Sequence, residues 1–207
     1  MRIHVDAHRP SPRKIERALT ALGKGEVIIY PTDTGYAFGC ALSSGKGIAQ
    51  LRRLKKIRER DTKPLTMLVN DISQLGRYGC VGNRNFRLIR RILPGPYTIV
   101  IRATSDVPRA MHNRHREVGL RIPDHPLCKM LVEELGEPLL TGSVTTLDEE
   151  HTEEYGLQEP ELLERRYTRE ISVVIDSGPL WPDPSTVLRL MNDEVEVMRE
   201  GQGEIPD

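Results

Sequence analysis

The spacing of apolar residues along this chain switches repeatedly between a period of two and a period of three to four, which predicts strands and helices in alternation. Ser11-Pro12, followed by Ile15, Ala18, Leu19 and Leu22 and then by Gly23, predicts a capped amphipathic helix with proline in its first turn. A strand is predicted over 26–30 and another over 37–42, after which Ser44 caps a basic helix. A short apolar strand at 65–69 follows the Lys63-Pro64 turn, and helical spacing returns at 71–78 and 83–92, ending at Pro94-Gly95-Pro96. Strands are predicted at 97–102 and 118–122, then a helix over 125–135 closed by Gly136, then a strand from Pro138 to Ser143 with a polar end. Three further strands are predicted at 171–176, 186–190 and 194–199. Because crossover-length and hairpin-length links are both present, the fold class is α/β, with a single twisted mixed β-sheet flanked by helices. Residues 146–170 are the least regular part; with six glutamates after Thr152 they read as an acidic surface helix or a mobile loop.

Length adds that 207 residues suit one domain, with a core of about 11–203. Formal net charge is zero, but its distribution is uneven: between Leu51 and Arg91, twelve Lys or Arg face only Glu59, Asp61 and Asp71, a local +9 that the rest of the chain balances. An anionic partner is therefore expected to meet the first half. Cys40, Cys80 and Cys128 are odd in number, far apart and without a C-x-x-C pair, which excludes a zinc motif or disulfide framework and fits a reducing cytosol. The N-terminus lacks the apolar core of a signal peptide, and no stretch reaches the roughly 18 apolar residues of a membrane span, so the expected localisation is cytoplasmic, with no membrane partner.

Two segments carry candidate chemistry. In Tyr30-Pro31-Thr32-Asp33-Thr34-Gly35-Tyr36-Ala37-Phe38-Gly39-Cys40, hydroxyls and glycines follow directly on the apolar run Val27-Ile28-Ile29, so polar groups stand at a strand tip. The same residues also suit a hairpin with local side-chain-to-backbone bonds. In 51–60, Arg52, Arg53, Lys55, Lys56, Arg58 and Arg60 oppose Glu59 alone. Ile48, Leu51, Leu54 and Ile57 recur every three residues, so the cations fall on the remaining helix surface, and Lys56 and Arg58 lie near the turn into Pro64. A solvated face and an anion site are both open on this pattern. Gly45-Lys46-Gly47 lacks the Walker frame and reads as a helix start, while His112 and His115 lack further ligands for a metal. No nucleophile elbow or Cys–His pair supports acyl transfer.

Taken in order, Tyr30-Pro31-Thr32-Asp33-Thr34, Lys56-x-Arg58, Pro94-Gly95-Pro96-Tyr97-Thr98, Gly119-Leu120-Arg121-Ile122-Pro123, Thr141-Gly142-Ser143, Pro184-Ser185-Thr186-Val187 and Arg199-Glu200-Gly201 resemble the YrdC/YciO family, closer to its YciO branch. The resemblance spans about 11–203 and implies a YrdC-like fold with a basic concave face. It also implies an L-threonylcarbamoyladenylate synthase-like nucleotidyltransferase: L-threonine, bicarbonate and ATP with Mg²⁺ give threonylcarbamoyl-AMP and pyrophosphate, in the service of tRNA modification. No tightly bound cofactor and no protein metal site are implied. Lys56 and Arg58 would hold the phosphates as catalytic residues; Thr141, Ser143, Ser185 and Arg199 would contact the nucleotide; Thr32, Thr34, Tyr36 and Arg121 would hold threonine, with Arg121 pairing to its carboxylate. The alternative implied is a non-catalytic protein of the same fold that binds double-stranded RNA or tRNA. One departure stands out: the synthases carry Ser-x-Asn where this chain has Ser143-Val144-Thr145, exchanging an amide that donates and accepts for a hydroxyl, with Val144 expected to crowd the pocket.

Overall fold

The computed structural model describes residues 1–58, 61, 63–144, 146–147, 153–154 and 156–205. Its strands are β1 (Arg2–His4), β2 (Ile28–Thr32), β3 (Gly35–Ala41), β4 (Thr66–Leu68), β5 (Tyr97–Arg102), β6 (Glu117–Arg121), β7 (Leu139–Ser143), β8 (Thr146–Leu147), β9 (Glu153–Glu154), β10 (Val173–Asp176), β11 (Thr186–Met191) and β12 (Glu194–Arg199). Its α-helices are α1 (Pro12–Gly23), α2 (Gly45–Leu54), α3 (Ile72–Tyr78), α4 (Asn83–Ile92), α5 (Pro126–Leu135) and α6 (Pro160–Arg166). Ten of the strands form one sheet in the order β1-β10-β2-β3-β7-β4-β6-β5-β11-β12. β1–β10, β10–β2, β4–β6 and β5–β11 run parallel and the other pairs antiparallel, so the sheet is mixed.

The two-residue side-chain period divides the core between the faces. Val27 and Ile29 join the layer that contains Ile48 and Leu51 of α2, Leu75 of α3 and Ile89 of α4. Ile28 and Tyr30 join the opposite layer, with Ile15, Ala18 and Leu22 of α1 and Leu127 and Leu131 of α5. This two-sided burial explains why 27–30 reads as a continuous apolar run.

α2 begins where Ser44 accepts from the Gly47 amide, but it stops at Leu54 and does not extend along the basic run. The Lys56 amide donates to Arg53 O and the Ile57 amide to Arg52 O, with Lys56 at φ 52°. That is a Schellman closure with lysine in the left-handed position usually given to glycine. Ile57 thus continues the apolar spacing as the residue that packs back beyond the cap, not as another helical turn. The acidic segment is neither one helix nor one loop: β8 and β9 pair, α6 follows, and Gln158 forms a bridge with Leu180. β1, unanticipated from the pattern, extends the sheet beside β10.

Candidate functional site

Directly opposed residues on neighbouring strands share a sheet face. The register sets Thr141 of β7 against Thr66 of β4, Thr66 against Gly119 of β6, and Gly119 against Val100 of β5. A second row sets Thr98 of β5 against Val187 of β11, and Val187 against Arg199 of β12. The alternate residues Met67, Ile99, Leu120, Leu140 and Leu188 go into the other layer. The strands therefore turn hydroxyls and small residues toward the face on which α1 and α5 pack, the side that also carries Tyr30, Leu68 and Leu139. There the structure has a cavity of about 430 Å³.

Thr32, Thr34, Tyr36, Arg121, Thr141, Ser143, Ser185 and Arg199 all line this cavity, so residues from five separate segments meet there. Thr66, Thr98, Lys55 and Lys63 also line it, and Leu51, Ile57, Leu65, Val187 and Met198 supply apolar wall. Lys56 and Arg58 are exposed and outside the lining. The Schellman turn is the reason: Lys55 is the last residue before the chain reverses into the left-handed position, and the reversal sets Lys56 apart from it. The Lys55 ammonium donates to Ser143 O at 2.7 Å. Gly142 makes room for the lysine stem, since a Cβ there would lie 3.2 Å from Lys55 Cγ. The cue for Lys55 was present in the basic run, but only the helix end distinguishes it from Lys56. Lys63, seen in sequence as part of a turn, is brought in by Pro64, which also lines the wall.

Around the β2–β3 tip, both readings of the sequence hold. Thr32 donates its hydroxyl to Gly35 O at 2.7 Å and accepts from the Thr34 amide at 3.1 Å, a local turn network. Arg121 crosses to it, donating to Asp33 Oδ1 at 2.5 Å and to Thr34 Oγ1 at 2.7 Å. The pair is largely buried, with the arginine side chain 8% exposed, while Arg121 Nε and Asp33 Oδ2 have no hydrogen-bond partner among the described residues. Arg121 is thus held by a carboxylate of its own chain, with its Nε donor left unpaired among the described residues. On the other wall, Thr98 and Ser185 hydroxyls share a bond at 2.9 Å, and Arg199 donates twice to Ser185 O, at 3.0 and 2.8 Å. Beneath, the Tyr30 hydroxyl bonds Thr141 Oγ1 at 2.7 Å, and burial holds the Tyr30 phenol well above the usual range.

The acidic segment reaches this site through Gln158, which sequence reasoning did not single out. Its Oε1 accepts from the Tyr36 amide at 2.6 Å and its Nε2 donates to Val144 O. Tyr36 in turn donates its hydroxyl to Gly178 O at 2.8 Å, and burial raises its phenol. Val144 packs into the core and gives its amide to Tyr36 O, so it does not crowd the cavity; Thr145 lies outside the described residues. No group of three His, Cys, Asp or Glu stands together among the described residues.

A ten-stranded mixed sheet with a hydroxyl-rich, cation-lined cavity on one face places the chain in a defined class. It belongs to the Sua5/YciO/YrdC family, whose model, described as telomere recombination, matches residues 20–201. Among its relatives is the uncharacterised protein YciO of Escherichia coli K12, 35% identical over 204 residues, 98% of this chain and 95% of YciO. The crystal structure of E. coli YciO matches with a TM-score of 0.89 at 31% identity, covering 99% of this chain and 97% of YciO. A putative threonylcarbamoyl-AMP synthase of Methanocaldococcus jannaschii is 28% identical, over 86% of this chain and 80% of its own. P. abyssi Sua5, complexed with L-threonine, shares the fold with a TM-score of 0.83 at 22% identity, covering 97% of this chain and 57% of Sua5.

Proposed function

We propose that this protein is a nucleotidyltransferase of the threonylcarbamoyl-AMP synthase type, taking L-threonine, bicarbonate and ATP. The observation that carries the reading is the composition of the cavity: four cations, Lys55, Lys63, Arg121 and Arg199, converge with eight hydroxyls on a partly apolar wall. The synthase relatives and the threonine complex of P. abyssi Sua5 support it.

Such a site suits the chemistry because nucleotidyl transfer needs no protein nucleophile. The oxygen of the threonine carbamate forms a bond to the α-phosphorus, the bond from that phosphorus to the bridging oxygen breaks, and pyrophosphate leaves with the electron pair. The protein supplies alignment and positive charge for the oxygens on which charge builds. In this reading Lys55 and Lys63 take the phosphate role that the family resemblance implied for Lys56 and Arg58, which remain next to the lining residue Ile57. Thr141, Ser143, Ser185 and Arg199 contact the nucleotide, and Thr32, Thr34, Tyr36 and Arg121 hold threonine. Mg²⁺ enters as part of the nucleotide substrate, carried on its phosphates, since the lining holds hydroxyls and cations in place of a carboxylate cluster.

The test is pyrophosphate release with ATP, Mg²⁺ and bicarbonate, with and without threonine. Threonine-dependent release that falls at least about 100-fold in Lys55→Met supports the reading, since each oriented charge of this kind is typically worth 10²–10³ in rate. Release independent of threonine, or none above the Lys55→Met background, rejects it. A second reading, binding of double-stranded RNA or tRNA, is favoured by α4, which exposes Arg84, Arg87 and Arg90 and contains no acid. Affinity should then fall linearly in log–log salt plots through counterion release, and a flat response rejects it.

A further inference from the structure

We propose that Trp181 is a stacking platform for the base of a nucleotide whose phosphates enter the cavity. Trp181 is the sole tryptophan of the chain and stands 73% exposed. Its neighbours are pinned. Leu180 packs on the core and exchanges two backbone bonds with Gln158, at 2.8 and 3.0 Å. Pro182 lies against Gly35, where an added Cβ would come within 3.0 Å of it. Gln158 and Gly35 both adjoin the cavity wall: Gln158 accepts from the amide of the lining residue Tyr36, and Gly35 sits between the lining residues Thr34 and Tyr36.

The loop that presents the indole is stiff and short. Pro179, Pro182 and Pro184 flank it, removing backbone freedom that binding would otherwise have to restrict. Ser185 lines the cavity four positions further on, a reach of at most about 14 Å. In this extended stretch Leu180 turns into the core and Trp181 turns out.

The chemistry selects a base over other occupants of the rim. An indole offers a broad π face that any nucleobase can stack upon. The exposed Asp183 carboxylate two positions away disfavours a phosphate beside the indole, whereas Lys55, Lys63 and Arg199 favour phosphate inside. A nucleotide is thereby oriented with its base at the rim and its phosphates within. This inference rests on the proposed function in one respect, that the cavity admits a nucleotide.

Titration of the native protein with MgATP, AMP, pyrophosphate and a single-stranded oligoadenylate, followed by tryptophan emission, reads the contact directly. The expected result is quenching by ATP and AMP and none by pyrophosphate. Trp181→Leu should weaken ATP binding in calorimetry by about 5- to 150-fold, the span of base stacking on aromatic side chains, and Trp181→Phe should retain most of the affinity. In turnover, Trp181→Leu should raise the KM for ATP more than it lowers kcat. ATP binding with no quenching and unchanged affinity in Trp181→Leu overturns the inference and leaves the proposed function standing. Quenching by oligoadenylate alone overturns the mononucleotide assignment. Absence of any ATP binding, with no pyrophosphate release, removes both.

Discussion

Gly35 is where the cavity wall, the acidic segment and the Trp181 loop meet, and replacing it with alanine tests all three together. At φ +111° the backbone lies in a region that residues with a Cβ rarely adopt, and the added methyl would stand 2.9 Å from Gln158 Oε1 and 3.0 Å from Pro182 Cβ. Holding alanine in that conformation costs about 1–3 kcal/mol. If Gln158 yields, the buried Tyr36 amide loses its acceptor, a further loss of about 1–3 kcal/mol. The sum centres near 3–4 kcal/mol, which for a chain of this length lowers Tm by about 6–16 °C. Guanidinium unfolding followed by circular dichroism measures the loss in wild type, Gly35→Ala, Gln158→Ala and the double variant. Since Gln158→Ala removes the atom that the methyl meets, the double variant should be less destabilised than the sum of the singles by about 1 kcal/mol. A loss under about 1 kcal/mol for Gly35→Ala, or strict additivity in the cycle, refutes the reasoning.

Lys56→Gly should stabilise the protein by about 1 kcal/mol, because Lys56 sits at φ 52° in the C-cap of α2; a lower denaturation midpoint would contradict that geometry. A thiol-reactive disulfide reagent should label one cysteine quickly, the exposed Cys80, and the other two only in denaturant, since burial pushes Cys40 up to about 12 and raises Cys128 further; fast modification of two thiols in the native state would contradict the packing. Burial lowers the His125 imidazole below its ordinary 6.5, with Asp33 opposing. The unfolded chain then binds the extra proton more readily, so this part of stability is complete above about pH 6.5 and is lost as pH falls below it. His125→Gln should flatten the decline in unfolding free energy between about pH 7 and 5, and an unchanged slope would show that His125 does not contribute.

Much of the molecule was legible in local pattern. The Ser11-Pro12 and Gly23 signals bracket α1, Ser44 caps α2, and Gly136 closes α5 in the left-handed conformation. The strand ends with hydroxyls, Thr32 to Thr34, Thr141 to Ser143 and Ser185, all reach the cavity, because a strand that alternates apolar and hydroxyl residues must show the hydroxyls together on one face. Of the basic run, Lys55 reaches the cavity while Lys56 and Arg58 stay exposed outside its lining. What was not legible was where its helix stops: Ile57 keeps the apolar spacing that a continuing helix would have, yet occupies the turn beyond the cap.

Period and caps are short-range properties, so the chain's own order determined the elements, the mixed α/β class and the polar strand tips. Tertiary structure alone decided that Lys55 and not Lys56 enters the site, since a single left-handed residue redirects the backbone. It alone decided that β7 lies between β3 and β4, which puts Thr141 opposite Thr66, and that Gln158, more than a hundred residues from Tyr36, closes the wall. Strand order and long-range side-chain bonds depend on which surfaces bury together, and no local spacing encodes that choice.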